Sequence, residues 1–190
     1  MIKDEKAALR AQLRAAIASL PEGYITSSDA GIMENVLALA EFSAAGRVFA
    51  YFSVGRECAT AGIIAAAVAA GKAVALPKTQ GAGRMYFAAH TSELGAGRYG
   101  IPEPPAEAEA LLPGRGDALI VPALYCDEAG YRLGQGGGYY DKYLNRTRAV
   151  RVGVCHDFAL LSAVPSEAHD ARMDIVVTPG RTVIIREETT

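Results

Sequence analysis

The stretch RLGQGGGYYDKYL, residues 132–144, places four glycines between an apolar run and a segment with helical spacing. Glycines let neighbouring backbone N–H groups converge on an anion, and a helix that starts directly afterwards adds its positive dipole end. No Gly-Lys-Ser/Thr follows, so this is not a Walker A loop, and Tyr139 replaces the last glycine of the dinucleotide fingerprint. Taken alone, the run could equally be a flexible turn. The residues that flank the glycines must therefore distinguish a phosphate-binding loop from a turn.

Two charged residues flank this glycine loop, Arg132 before it and Asp141 after it. A guanidinium can bind phosphate oxygens, and a carboxylate can hold Mg²⁺ beside them. The flanking charges therefore favour a phosphate site with magnesium over a simple turn.

Outward from the loop, strand-like and helix-like segments alternate along the chain. The pattern predicts helices over 3–20, 28–44 (with Ser28 as N-cap), 58–70 and 139–146, and strands over 48–54, 72–79, 84–90, 119–125, 150–155 and 174–178. Several of the strands are continuously apolar, which indicates a mostly parallel sheet covered on both faces. Such sheets bind ligands at the carboxyl ends of their strands. We expect one domain, residues 1–190.

The first predicted helix has basic residues at spacings of three, four and four: Lys3, Lys6, Arg10 and Arg14. They border the apolar stripe of the helix instead of lying opposite to it. Side chains on such a border can bury their stems and present charge into a cleft. A solvated helix face is the alternative, and the pattern alone favours it.

Other candidates follow the predicted strands. Glu57 is either a first-turn acid that complements a helix dipole or an acceptor for a polar heterocycle. Lys78 is either an edge charge or an anion contact. The segment YGIPEP, 99–104, is either a rigid loop or a wall against a flat ring. In HDARMD, 169–174, two carboxylates could bind a metal, whereas each histidine of the chain is expected to be a loop residue or a core hydrogen-bonding partner.

Composition excludes several classes of protein. A formal charge of -2 argues against a nucleic-acid-coating protein. The three scattered cysteines fit a reducing compartment better than a disulfide framework. The charged N-terminus lacks a signal peptide, and the longest apolar stretch, 63–70, is too short to span a bilayer. We expect a cytoplasmic protein without a membrane or nucleic-acid partner, as a monomer or, alternatively, a dimer.

Together these segments resemble the 5-formyltetrahydrofolate cyclo-ligase family. The matching motifs occur in order along nearly the whole chain: K-x-x-x-R at 6–10, Phe52-Ser53 with Glu57 and Thr60, Leu76-Pro77-Lys78, Met85 and Phe87, Ile101-Pro102-Glu103-Pro104, Val121-Pro122, R-L-G-x-G-x-G-Y-Y-D at 132–141 and H-D-x-x-M-D at 169–174. The glycine block with Tyr-Tyr-Asp is highly specific. The other motifs are individually weak, but their order is hard to obtain by chance.

The resemblance implies a three-layer α/β/α fold like that of sugar-phosphate isomerases and CoA-transferases. It also implies ATP and Mg²⁺ as cofactors and 5-formyltetrahydrofolate as the substrate, which is closed to 5,10-methenyltetrahydrofolate. The implied ATP-binding residues are Lys6, Arg10, Arg132, Gly134, Gln135, Gly136, Gly137, Gly138, Tyr139 and Tyr140. The implied folate-binding residues are Phe52, Glu57, Tyr99, Gln135, Gly136, Gly137, Gly138 and Tyr139. Asp141 and Asp170 are the implied magnesium ligands, and Arg132 and Asp141 the implied catalytic residues.

Two departures from the family pattern matter. Some members have Lys where this chain has Gly137, so Lys78 or Arg132 would have to supply that charge. Some members also have Trp before the I-P-x-P segment, where this chain offers only Tyr99. A regulatory protein that binds nucleotide and folate without turnover is therefore the main alternative. A sugar-phosphate isomerase, the third hypothesis, rests on fold analogy only.

Overall fold

The computed structural model describes residues 2–81, 83–91, 93–97 and 100–185. Its helices are α1 Ile2–Ser19, α2 Glu22–Leu37, α3 Ala40–Ala44, α4 Ala61–Ala69 and α5 Tyr139–Leu144. Its strands are β1 Arg47–Phe49, β2 Ala73–Gly81, β3 Arg84–Ala89, β4 Gly95–Ala96, β5 Pro102–Glu103, β6 Ala110–Leu111, β7 Asp117–Pro122, β8 Tyr125–Asp127, β9 Arg132–Leu133, β10 Val150–Val154, β11 Leu160–Leu161, β12 Ile175–Val177 and β13 Thr182–Ile184.

An eight-stranded sheet forms the centre, in the order β13-β12-β10-β7-β1-β2-β3-β6. The five strands from β12 to β2 pair in parallel, and the three outer strands β13, β3 and β6 pair antiparallel. Strands β11, β8 and β9 form a small second sheet, and β4 pairs with β5. The prediction of a mostly parallel central sheet is confirmed.

Side chains alternate between two apolar cores along the central strands. Val48 and Ile120 pack on the face covered by α2 and α4. Their neighbours Phe49 and Leu119 pack on the opposite face, together with Leu13 of α1. Successive residues of a strand point to opposite faces, so fully buried strands must be apolar throughout. The sheet thus lies between two helical layers, as the resemblance implies.

Element boundaries differ from the predicted ones where tertiary contacts override local signals. The second helix begins at Glu22, six residues before the predicted N-cap Ser28, and it stops at Leu37 before the separate helix α3. Ser28 is buried inside α2, and its Oγ lies 2.6 Å from His156 Nδ1. A buried partner for the hydroxyl thus makes Ser28 a core residue of α2 rather than its cap.

Two elements near the site are shorter than predicted. Strand β1 ends at Phe49 instead of residue 54, although Ala50 N still donates to Ala75 O. Helix α4 begins at Ala61 instead of Cys58. The residues between them form a loop that leaves the carboxyl end of β1. No helix in the described part of the chain combines the length and the apolar character that crossing a bilayer requires.

Candidate active site

A cleft of about 840 Å³ opens at the carboxyl ends of the central strands. Its walls include Phe52 after β1, Pro122 at the end of β7 and Pro77 in β2. Helix α1 and the glycine loop contribute the remaining sides. This is the position at which open α/β sheets bind their ligands.

Lys6 of α1 reaches across to the segment that precedes β12. Its Nζ lies 2.6 Å from Asp170 Oδ2 and 3.0 Å from Glu167 Oε2, and 11% of its side chain is exposed. Burial lowers the pKa of Lys6, but the hydrogen bonds to Asp170 and Glu167 outweigh it, so the pKa is raised. For Asp170, burial by itself raises the pKa. The hydrogen bonds from Lys6 and from the Glu167 N–H outweigh this effect, and the pKa of Asp170 is lowered. Both groups are therefore held in their charged forms.

Two further basic residues of α1, Arg10 and Arg14, contact the glycine loop. Arg10 Nε donates to Gly134 O at 2.8 Å. Arg14 Nη2 donates to both oxygens of Gln135, the carbonyl at 3.3 Å and the side-chain Oε1 at 3.1 Å. Lys3 is exposed and lines the cleft. The basic stripe of α1 therefore faces the cleft rather than bulk solvent.

Two positions of the loop have backbone conformations that favour glycine. Gly136 has a φ of 100° and Gly138 a φ of 66°, in the left-handed region where a side chain causes strain. The φ angle of Gly137 is not in the left-handed region, but an added Cβ would lie only 2.8 Å from Cδ2 of the Tyr139 ring. A side chain at Gly137 therefore requires a shift of the Tyr139 ring rather than of the backbone.

Arg132 and Asp141 form a close ion pair at the base of the loop. Arg132 Nη2 lies 2.7 Å from Asp141 Oδ1, with 2% of the Arg132 side chain exposed and 32% of that of Asp141. The guanidinium also lies 5.8 Å from the centre of the Tyr140 ring. The carboxylate offsets the cost of burying the guanidinium, and it also lowers the net positive charge that the pair presents to an anionic ligand.

Glu57, in the loop that follows β1, also lines the cleft. Its Oε2 accepts from Val54 N at 3.1 Å, and its Oε1 accepts from Gln135 Nε2 at 3.3 Å. Burial raises the pKa of Glu57, although these two hydrogen bonds partly oppose the shift. Phe52 lines the cleft beside it and packs on the core. Gln135 thus links the glycine loop to Glu57.

Two of the predicted candidates stand apart. The ammonium of Lys78 donates to the Pro104 carbonyl oxygen and lies 3.9 Å from Glu103 Oε2, and Lys78 is not among the residues that line the cleft. Lys78 thus contacts the I-P-x-P segment, whereas Arg132, the other residue predicted to supply the positive charge absent at Gly137, lines the cleft. Tyr99 lies outside the described residues, and Ile101 of the same segment lines the cleft.

Sequence reasoning missed Glu167 and gave Arg14 no separate role. Glu167 stands outside the H-D-x-x-M-D motif, three residues before Asp170, and only the fold turns it toward Lys6. Each histidine was expected to be a loop residue or a core hydrogen-bonding partner, and the contact of His156 with Ser28 makes it the second of these. Burial lowers the pKa of His156, so the imidazole is held neutral.

Oxygen ligands for a divalent cation are present in the cleft. One ligand atom each of Glu167, His169 and Asp170 lies within 4.8 Å of the others. Carboxylate oxygens suit Mg²⁺ well, and an imidazole suits it less. Asp141 lines the same cleft but does not belong to this cluster among the described residues. The two predicted magnesium carboxylates therefore share one cleft, and the donor set there fits the ion.

Comparison with known proteins gives a consistent result. The model of the 5-formyltetrahydrofolate cyclo-ligase family matches residues 2–179. The 5-formyltetrahydrofolate cyclo-ligase of Mycolicibacterium smegmatis is 34% identical over 148 residues, covering 72% of this chain and 75% of that protein. That of Escherichia coli is 39% identical over 120 residues, covering 59% and 66%. The structure of Aquifex aeolicus 5,10-methenyltetrahydrofolate synthetase superposes with a TM-score of 0.85 at 29% identity, covering 97% and 95%.

Proposed function

Because the chain belongs to the 5-formyltetrahydrofolate cyclo-ligase family, we propose that MgATP and 5-formyltetrahydrofolate meet in the cleft described above. The chain is an enzyme that converts 5-formyltetrahydrofolate into 5,10-methenyltetrahydrofolate. The use of ATP and magnesium, and the residues that bind each partner, are our proposal.

The nucleotide binds between α1 and the glycine loop. Lys6, Arg10 and Arg132 supply positive charge, and residues 134–140 supply backbone N–H groups and ring surface. The left-handed φ angles of Gly136 and Gly138 support this role, since they leave the loop backbone open to close approach. The contact between Arg10 and the Gly134 carbonyl supports it as well, because it orders the loop beside a cation.

The folate binds on the Glu57 side of the cleft. Glu57 accepts hydrogen bonds from the pterin, Phe52 and Tyr99 flank the ring, and residues 135–139 contact both substrates. The hydrogen bond from Gln135 to Glu57 supports this arrangement, because it places the glycine loop next to the carboxylate that we propose as the pterin acceptor.

Asp141 and Asp170 hold Mg²⁺. The cluster of Glu167, His169 and Asp170 supports the role of Asp170, and the position of Asp141 in the same cleft supports its role. Bound there, the ion would neutralise charge on the phosphates. Lys6 would then exchange its carboxylate partners for phosphate oxygens.

The chemistry is phosphoryl transfer followed by ring closure. The formyl oxygen on N5 attacks the γ-phosphorus, and ADP leaves. N10 then adds to the activated formyl carbon and releases its proton, and phosphate departs with the electron pair of the broken C–O bond. Phosphoryl transfer requires alignment and charge stabilisation more than covalent participation by the protein. This requirement accounts for a cleft rich in glycines, cations and carboxylates.

The observation that supports this function best is that the glycine loop contacts three charged residues of the cleft. Arg10 and Arg14 donate hydrogen bonds to it, and Glu57 accepts one from Gln135. The test is incubation with 5-formyltetrahydrofolate and MgATP, following the near-ultraviolet absorbance of methenyltetrahydrofolate. Product that requires both ATP and Mg²⁺ supports the proposal. ATP binding without product would favour a regulatory protein instead.

Three broader predictions stay part of the proposal: a single domain over residues 1–190, a cytoplasmic location, and a monomer with a dimer as the alternative. The three cysteines are buried free thiols, which supports a reducing compartment.

A further inference from the structure

Three buried polar atoms around α5 have no hydrogen-bond partner within the described residues: Arg132 Nε, the Tyr140 hydroxyl and the Tyr143 hydroxyl. Buried polar groups are nearly always paired, so each exception asks for an explanation. Tyr140 lines the cleft, whereas Tyr143 is not among the residues that line it. The Tyr140 hydroxyl and Arg132 Nε are therefore candidates for contact with a ligand.

Tyr140 lines the cleft at the start of α5, and the centre of its ring lies 5.8 Å from the Arg132 guanidinium. A phenol is protonated at neutral pH, so the buried Tyr140 hydroxyl can donate a hydrogen bond to a ligand in the cleft.

We propose that the Tyr140 hydroxyl is a catalytic hydrogen-bond donor to the phosphoryl group as this group passes from ATP to the formyl oxygen. The inference rests on the proposed function. In that step a bond forms between the formyl oxygen and the γ-phosphorus. The bond from this phosphorus to the bridging oxygen breaks, and ADP leaves with the electron pair. The phenol proton stays on Tyr140 throughout.

A hydrogen-bond donor beside the transferring phosphoryl group acts on the negative charge of the transition state. The transferring phosphoryl group spreads negative charge over its three outer oxygens in a loose transition state. A fixed donor in a site shielded from water stabilises such charge without reorganising during the reaction. The Tyr140 ring packs beside the Arg132 guanidinium, which limits movement of the ring.

Tyr143 provides a matched control. It lies three residues later on the same short helix, and its hydroxyl is also buried without a partner. Burial raises the pKa of Tyr143 to about 12. Its ring packs against Phe87 with 5.3 Å between centroids, in the core rather than in the cleft. Removing either hydroxyl therefore has a similar structural effect, and only one removal should affect the reaction.

The test compares Tyr140→Phe with Tyr143→Phe. Tyr140→Phe should lower kcat by a factor on the order of 10², the effect of removing one transition-state donor. The KM values for ATP and folate should change little. In the presence of folate, affinity for MgADP with aluminium fluoride, a mimic of the transferring phosphoryl group, should fall, while affinity for MgADP alone should not. Tyr143→Phe should leave all of these as in the wild type.

Thermal melting of the free protein separates a structural cause from a catalytic one. Neither variant should melt at a lower temperature, because each removes a buried hydroxyl that has no partner. Wild-type turnover in Tyr140→Phe would overturn the inference, and so would equal losses in both variants; in either case product formation by the wild type would leave the proposed function standing. If the wild type itself makes no product, the proposed function fails, and this inference fails with it.

Discussion

At the scale of single residues, the charged side chains of the cleft form ion pairs. Arg132, with 2% of its side chain exposed, depends on Asp141, and Lys6 depends on Asp170 and Glu167. Removing one member of a buried pair leaves the other charge without compensation, which typically costs about 3–5 kcal/mol when both groups are fully buried. Exposure of Asp141 at 32% reduces that cost here. Changes at these positions therefore affect both stability and ligand binding.

Asp141→Asn should lower turnover by orders of magnitude and weaken the dependence of ADP binding on Mg²⁺. By size alone, the amide would be expected to leave folding unchanged. The contact of 2.7 Å with Arg132 predicts instead a lower melting temperature, because the buried guanidinium loses its counter-charge. Calorimetric titration of ADP with and without Mg²⁺, together with melting curves, checks both effects. Turnover near that of the wild type with an unchanged Mg²⁺ requirement would show that Asp141 is not a magnesium ligand.

Glu57 should impose a pH dependence on folate binding. Since burial raises its pKa, the carboxylate becomes protonated at a higher pH than an ordinary glutamate and then loses its acceptor role. Folate affinity should therefore fall on acidification through this raised pKa. Nearby Tyr51, Cys58 and Tyr140 stay neutral there, because burial raises the pKa of each.

The same group affects folding with a defined sign. A raised pKa means that the folded protein binds the Glu57 proton more tightly than the unfolded chain does. Protonation of Glu57 therefore adds to the free energy of unfolding at low pH, and this contribution is lost as the pH rises through the raised pKa. Glu57→Gln should remove both pH effects, measured by folate titration and chemical unfolding. Glu34→Gln, at an exposed position of α2, is the control. If Glu57→Gln retained both pH dependences, another group would be responsible.

At the level of elements, α1 and the glycine loop act as one unit. Leu13 is fully buried in the core, while Lys6, Arg10 and Arg14 present their charges on the cleft side of the helix. The helix is thereby anchored by apolar packing and contacts the loop through hydrogen bonds. Arg56 adds a further contact, since its Nη1 donates to the carbonyls of Ile17 and Leu20 at the end of α1.

Truncation of Lys6 or Arg10 to Ala should raise the KM for ATP more than the KM for folate. The contacts of Arg14 predict that Arg14→Ala affects both, because Gln135 also bonds Glu57. Arg148→Ala removes the same charge from an exposed position that is not among the residues lining the cleft, and it should change neither value. Steady-state kinetics at two salt concentrations measures these effects. Equal, salt-sensitive losses in all four variants would indicate a general charge field.

The three consecutive glycines should differ in their tolerance of substitution. Gly136→Ala and Gly138→Ala should weaken ATP binding, because a left-handed φ strains a residue that has a Cβ. Gly137→Lys should keep the backbone and stay active once the Tyr139 ring moves aside, and its ammonium can add a phosphate contact. ATP titration of the three variants tests this order. Harmless changes at Gly136 and Gly138 together with loss of binding at Gly137 would place the phosphate site elsewhere.

For the molecule as a whole, the cleft exists because distant parts of the chain meet at one edge of the sheet. Lys6 and Asp170 are 164 positions apart, and Gln135 and Glu57 are 78 positions apart. The parallel strands bring their carboxyl ends to the same edge, so the loops that follow them converge there. The site is thus a property of the sheet order rather than of any one segment.

The sequence by itself determined the fold class and the general position of the candidate site. The continuous apolar run 118–121 in β7 is fully buried, and such runs are typical of a parallel sheet that is covered on both faces. The glycine block with Arg132 and Asp141 indicates a phosphate site because glycine alone combines a left-handed φ with close backbone approach. These signals are local, so a single sequence is enough to show them.

Only the tertiary structure decided which partners the charged side chains have. The spacing of the basic residues in α1 could not show that Lys6 pairs with Glu167 and Asp170, that Arg14 bonds Gln135, or that Lys78 turns away to Pro104. Nor could the propensity of Ser28 for a helix start reveal its buried contact with His156. The physical reason is the same in each case. A long polar side chain has several possible partners within reach, and its choice depends on which distant loop the sheet places beside it.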